Sequence, residues 1–213
     1  MTWLRSVIYR ILTQPVVALL APVTVHNREA LKGLKVPIII VSNHESHLDT
    51  AVLMRALPAC FRRKLVVGAA ADYFFSSTRR SHLAALVVGA IPIERQKVNR
   101  RSATLALELL AQAWNLLLFP EGGRSPDGQL QPFKGGAAYL GVKGNIPVQV
   151  AFLSGTRAVL PKSGPGTKSS RPHRHKTSVT FGPLLSPGDY SDARTFGSAI
   201  EAAVHELAQQ QRT

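Results

Sequence analysis

The chain has a single cysteine, Cys60. That excludes an internal disulfide framework and a four-cysteine metal site, and makes a reducing compartment the default. Acidic residues are scarce: 12 Asp and Glu stand against 26 Lys and Arg, a formal net charge of +14. Aromatics reach only 7%, and no basic stretch carries the interleaved aromatic rings that base stacking needs. No run approaches the ~20 apolar residues of a membrane-spanning helix. What remains is a chain of 213 residues, 45% hydrophobic and 18% charged. That is enough for one well-buried domain and neither a disordered chain nor a bundle of membrane spans. The cationic excess favours polyanions: nucleic acid, an anionic bilayer or phosphorylated small molecules. Composition leaves all three open.

In the first 25 residues, Trp3, Leu4, Val7, Ile8 and Ile11 recur at helical spacing, with Arg5 and Arg10 on other faces. The apolar run between Pro15 and Pro22 is too short to span a bilayer. Arg10, Gln14 and Pro15 interrupt what would be the apolar region of a secretory signal. Residues 1–25 therefore read as an amphipathic or re-entrant segment that dips into one leaflet with its arginines at headgroup level. The alternative is an N-terminal helix packed on the domain. Residues 26–213 form the domain proper.

From Gly33 onward, short apolar runs alternate with helical patterns. Strands are expected at Val36–Val41, Lys64–Ala69, Ile91–Glu94, Asn115–Phe119 and Pro147–Phe152, with an edge strand at Thr177–Phe181. Helices are expected over Asn99–Trp114 with Asn99 as N-cap, near Gly136–Val142, and after Ser191, where Phe196, Ile200, Val204 and Leu207 form one stripe. This is the pattern of an α/β domain with a largely parallel central sheet flanked by helices. Pro161–Lys176 holds Lys162, Lys168, Arg171, Arg174 and Lys176 without one carboxylate. It reads as a surface loop, either simply solvated or facing a membrane.

The densest polar cluster is Asn43-His44-Glu45-Ser46-His47-Leu48-Asp49, immediately after the first buried strand, where α/β folds place ligands. An aspartate five residues after a histidine, across a strand-to-helix turn, can accept from one ring nitrogen and leave the other as a general base. No Ser or Cys nucleophile is needed if the substrate supplies the hydroxyl. Two other readings stand beside it. His44, His47 and Asp49 can be weighed as metal ligands, although the helical zinc motif spaces its histidines four apart. Asp49 can also be a plain helix cap. A second cluster, Gly89–Arg95, ends in Glu94 and Arg95, a phosphate clamp or a surface pair. A third, Phe119-Pro120-Glu121-Gly122-Gly123-Arg124-Ser125, brings a carboxylate, two permissive glycines and an arginine to a strand end. Phe133-Lys134-Gly135-Gly136 then opens a helix, a candidate anion site. Ile146-Pro147-Val148 enters another strand.

These four blocks, in this order, resemble the signature of the glycerol-phosphate and lysophosphatidate acyltransferase family, over roughly Asn43 to Val150. Asn43–Asp49, with Ser46, matches its His-x4-Asp block, Gly89–Arg95 its second block, Phe119–Ser125 its Phe-Pro-Glu-Gly block and Ile146–Val148 its proline-containing fourth. The resemblance implies an enzyme in which His44 is the general base and Asp49 its partner. Arg95, Glu121, Gly122 and Arg124 would bind the glycerol-phosphate acceptor, with Lys134 a further cation for its phosphate, and Asn43, Ser46 and Gly123 would support the site. It also implies a thioester donor on coenzyme A or acyl carrier protein, and no metal or redox cofactor. Two positions depart from the pattern: Gly123 stands where the family usually has Thr, and Pro92 replaces a bulkier apolar residue.

The expected reaction is direct acyl transfer to 1-acyl-sn-glycerol 3-phosphate. Glycerol 3-phosphate and other lysolipids are the competing acceptors. The expected place is the cytoplasmic face of an anionic membrane, held peripherally or monotopically. The reading outside this class, a basic nucleic-acid-binding protein, predicts a cationic groove indifferent to His44, whereas the acyltransferase predicts cations converging on His44.

Overall fold

The computed structural model describes residues 7–70, 89–93, 100–161 and 172–211. The chain enters through a π-helical turn, Tyr9–Thr13, that runs into α1 (Gln14–Leu20) and then strand β1 (Val23–His26). After β2 (Ile39–Ser42) come α2 (Asp49–Ala56) and α3 (Ala59–Arg63), then β3 (Leu65–Ala70) and β4 (Ala90–Ile93). The remainder is α4 (Arg100–Ala111), β5 (Asn115–Leu118), α5 (Gly136–Gly144), β6 (Val148–Ser154), α6 (Thr156–Val159), β7 (Thr177–Leu185) and α7 (Ala193–Gln210). Asn99, expected as a helix cap, lies outside the described residues.

Among the described residues, seven strands form one sheet in the order β1-β7-β6-β2-β5-β3-β4. Five of its six pairings are parallel and only β6–β7 is antiparallel. β2 lies between β5 and β6 and is buried along its whole length. Its side chains alternate between two apolar layers, as a pleated strand covered on both faces must. Ile38 and Ile40 pack with Val52, Leu53 and Phe61 of α2 and α3, whereas Ile39 and Val41 pack with Leu110, Leu140, Phe196 and Val204 of α4, α5 and α7. Each such side chain stabilises the fold by about 2 kcal/mol. The expected stripe on α7 is buried throughout. Asp192 caps this helix, accepting from the Arg194 and Thr195 amides in a reciprocal capping box.

Two expectations need correction. Thr177–Phe181 is not an edge strand: β7 is longer and internal, flanked by β1 and β6. The edge is β1, whose four residues pair in parallel with β7 from Val23↔Thr177 to His26↔Thr180. A boundary after residue 25 therefore falls inside a sheet strand. The same pairing explains why Thr177, Val179 and Phe181 are buried. At the opposite edge lies β4, where Pro92 removes no interior ladder bond.

The N-terminal helix is packed on the domain by one face and bare on the other. Tyr9, Val17 and Ala21 are buried, and the Arg62 guanidinium sits 5.3 Å from the Tyr9 ring centre. Ile11, Leu12, Val16 and Leu19 are 53–67% exposed. No helix among the described residues is long and apolar enough to cross a membrane.

Candidate active site

Because β2, β5 and β6 run parallel, the segments that follow them emerge at one edge of the sheet. These are 43–49 after β2, 119–125 after β5 and α6 after β6. The Asn43 side chain forms the floor. Buried to 1% exposure, it accepts from Leu153 N at 2.7 Å and donates to Leu153 O at 2.9 Å, continuing the sheet pairing with a side chain after the strand has ended.

His44 Nδ1 and Asp49 Oδ2 are 2.7 Å apart. Asp49 is fully buried, and the same Oδ2 accepts from the amides of Glu45 at 2.7 Å and Ser46 at 2.8 Å. One carboxylate oxygen thus folds the turn and holds the imidazole, leaving Nε2 as the nitrogen that Asp49 does not engage. Asp49 does not cap its own helix; it is the first residue of α2, after Leu48. The imidazole lies flat on Phe119, with ring centres 4.2 Å apart at 18°. Ser46 Oγ donates to Leu160 O at 2.8 Å and accepts from Leu48 N at 3.2 Å, tying the turn to the end of α6.

The third block holds His44 by its backbone. Glu121 Oε1 accepts from His44 N at 2.7 Å, and Oε2 accepts from Gln131 N at 3.2 Å. Ser125 N donates to His44 O at 2.7 Å. Glu121 is therefore committed to two backbone amides, a placement the sequence reading of an acceptor ligand did not foresee. Gly122 has φ +72°, and a Cβ there would lie 2.6 Å from Lys134 Nζ, so the lysine side chain crosses directly over the glycine. The Lys134 amide donates to Pro120 O at 2.9 Å, so this amide is not open to an anion; what Lys134 brings to the site is its ammonium group. Gly123 has open space where a Cβ would point. Arg95 lies outside the described residues.

Charge converges on this edge. Burial, then the charges of Arg124 and His44, push His47 down to about 4, so the Arg124 charge acts on the His44 turn. Burial together with Asp49 and Glu121 pushes Glu45 up to about 7, and burial also raises Glu121 to about 7 against the pull of its two amides. Three carboxylates, Glu45, Asp49 and Glu121, thus act on one another around the His44 turn. Phe119 and Glu45 are functional neighbours that sequence reasoning quoted without assigning them a task; an aromatic directly preceding the Pro-Glu-Gly turn was the available signal. The fourth block is remote from all this. Val148 pairs with Ile39 and Pro147 O accepts from Ile39 N, at the opposite end of β2 from His44. Among the described residues, no group of three or more His, Cys, Asp or Glu is arranged to hold a metal.

The chain is similar to known proteins. The chain is 32% identical to human 1-acyl-sn-glycerol-3-phosphate acyltransferase alpha over 121 residues, covering 55% of this chain and 41% of that protein. It is 30% identical to the chloroplastic 1-acyl-sn-glycerol-3-phosphate acyltransferase BAT2 of Brassica napus over 145 residues, covering 65% and 39%. The chain thus spans about two fifths of the length of these relatives. The crystal structure of the 1-acyl-sn-glycerophosphate acyltransferase PlsC from Thermotoga maritima superposes with a TM-score of 0.74 at 20% identity, covering 97% of this chain and 79% of that one, which shows a common fold. Residues 22–157, which run from the edge strand β1 through the His44 turn to Arg157 of α6, match the acyltransferase family model. With more than half of its length so matched, and its polar residues gathered around a His–Asp pair, the chain belongs to the acyltransferase family.

Proposed function

We propose that the protein transfers a fatty acyl group from a thioester donor, acyl-CoA or acyl carrier protein, to the free hydroxyl of 1-acyl-sn-glycerol 3-phosphate, giving phosphatidic acid. The observation that carries this reading is the 2.7 Å contact between His44 Nδ1 and Asp49 Oδ2 at the sheet edge where the loops after β2, β5 and β6 emerge. His44 Nε2 takes the acceptor hydroxyl proton as the oxygen attacks the thioester carbonyl. Asp49 stabilises the imidazolium, the C–S bond breaks, and the thiolate leaves with the proton returned by His44. This needs no nucleophile from the protein and no metal or redox cofactor. Phe119 keeps the imidazole in plane, and Glu121 and Ser125 hold its backbone. Arg124 and Lys134, with Arg95, supply charge for the acceptor phosphate. The relatives' names favour this acceptor. The test is an acceptor panel of 1-acyl-sn-glycerol 3-phosphate, glycerol 3-phosphate and a lyso-aminolipid, each with labelled acyl-CoA and acyl carrier protein. Turnover confined to another acceptor, or none with any, would overturn it.

The same reading places the protein on the cytoplasmic face of an anionic membrane, attached through α1. The exposed Ile11, Leu12, Val16 and Leu19 offer an apolar face, and Arg174 Nε donates to Leu19 O at 3.2 Å, so basic chain lies at the end of that face. Insertion supplies an apolar component indifferent to salt, and the cations add on the order of 1 kcal/mol each near an anionic surface. Full-length protein should pellet with anionic liposomes and resist high salt, whereas Leu12→Ser with Leu19→Ser should make binding salt-labile. Equal binding to neutral and anionic vesicles would overturn the electrostatic half.

A further inference from the structure

Arg157, on α6, belongs to none of the four sequence blocks, yet it grips the third. Its guanidinium forks across two successive carbonyls, Nη1 donating to Ser125 O at 3.3 Å and Nη2 to Pro126 O at 2.8 Å. Its stem runs along Gly128, where φ is +86° and a Cβ would stand 3.4 Å from Arg157 Cδ. The turn it grips is closed from within by Ser125 Oγ, which donates to Asp127 Oδ1 and accepts from Gly128 N. From that turn, Ser125 N donates to His44 O. The groups facing Glu45 are Asp49 and Glu121, which repel its charge, and Arg157 and Asn43, which favour it. Arg157 therefore touches both the turn behind the acceptor side of the site and, through its charge, the carboxylate next to His44.

We propose that Arg157 is a positioning residue that locks the 121–128 turn, with Gly122, Gly123 and Arg124 on it, against the His44 turn and so sets the geometry of the acceptor phosphate site. The inference rests on the acyl-transfer reading above. A planar fork suits two neighbouring carbonyls, whereas an ammonium on a flexible stem reaches them without fixing their relative orientation. Removing the fork leaves His44 held by Asp49, Glu121 and Phe119 and loosens the cationic residues on the 121–128 turn. The cost therefore falls on acceptor binding, not on the donor.

The test compares Arg157→Ala and Arg157→Lys with the wild type, reading kcat, KM for each substrate and the melting temperature. Arg157→Ala should raise the acceptor KM about tenfold, with donor KM and melting temperature nearly unchanged, and Arg157→Lys should recover less than half of that loss. An unchanged acceptor KM, or two KM values rising together with a fall in melting temperature, would overturn the proposal. If Arg157→Ala does not fold, Arg157→Lys decides alone on the same selective rise in acceptor KM. If the wild type acylates no acceptor in the panel, the functional reading fails while the clamp is still tested by hydrogen exchange. The Ser125 amide should exchange at least about tenfold faster in Arg157→Lys, and an unchanged rate would overturn the clamp.

Discussion

Glu121 Oε1 accepts from the backbone amide of His44 at 2.7 Å, across 77 residues of sequence. The carboxylate that begins one motif thereby sets the position of the imidazole in another. Its second oxygen binds Gln131 N, so the Glu121 side chain also pins the loop that leads to Lys134. The backbone at His44 and the loop before Lys134 are thus tied to one buried acid.

Glu121→Gln tests this. A glutamine presents one oxygen and one NH2, so one of the two backbone amides must face a donor, at about 1–3 kcal/mol. Turnover should fall roughly 10- to 100-fold with the acceptor KM within about threefold. A large rise in acceptor KM at constant kcat would instead make Glu121 an acceptor ligand.

His44→Ala should lower kcat by about two to four orders of magnitude, the usual range for a lost general base. The ring stacks on Phe119 and stays partly open to solvent, so the melting temperature should move little. Near-normal turnover would remove His44 from the mechanism.

Asp49→Asn can keep an amide oxygen where Oδ2 meets the Glu45 and Ser46 amides and His44 Nδ1, but it removes the negative charge that would stabilise the imidazolium. Turnover should drop by about three orders of magnitude while far-ultraviolet circular dichroism stays native. An effect under about tenfold would show that the Asp49 charge is not what stabilises the imidazolium.

Glu45 and Glu121 predict a stability that declines as pH rises. Both carboxyls are held near 7 in the folded chain, above the ordinary 4.5. The folded state thus binds protons that the unfolded state releases over this window, and stability is lost from pH 4.5 to 7. His47, held near 4, works in the opposite sense between 4 and 6.5, but it is common to wild type and variant. Glu45→Gln should therefore match the wild type near pH 4.5 and exceed it at pH 8 by on the order of 1–2 kcal/mol, a few degrees in melting temperature. A constant difference at every pH would rule out this origin.

The two adjacent glycines should respond differently. At Gly122 a side chain must adopt φ +72° and displace the Lys134 ammonium. Gly122→Ala should cost about 1 kcal/mol of stability and raise the acceptor KM. Gly123→Thr enters open space and should leave the melting temperature within about 1 °C. A destabilising Gly123→Thr would mean that the turn moves in solution.

The sequence by itself determined the element types and the chemistry of the His44 turn. Ile38–Val41 and Leu116–Leu118 are apolar on both faces, which only a sheet covered by helices on both sides tolerates, and the His44–Asp49 spacing closes its own turn. Those are local properties, written in consecutive residues. Tertiary structure alone decided where β7 lies, because Thr177–Phe181 has the alternation of an edge strand until the four residues of β1, hidden behind Pro22, pair beside it. It also decided what Glu121 and Arg157 do. A carboxylate or guanidinium carries no mark of its partner, and the partners here are backbone groups 77 and 31–32 residues away in sequence. They become neighbours because parallel strands β2, β5 and β6 must discharge their loops at the same edge of the sheet, where buried polar groups have to find one another.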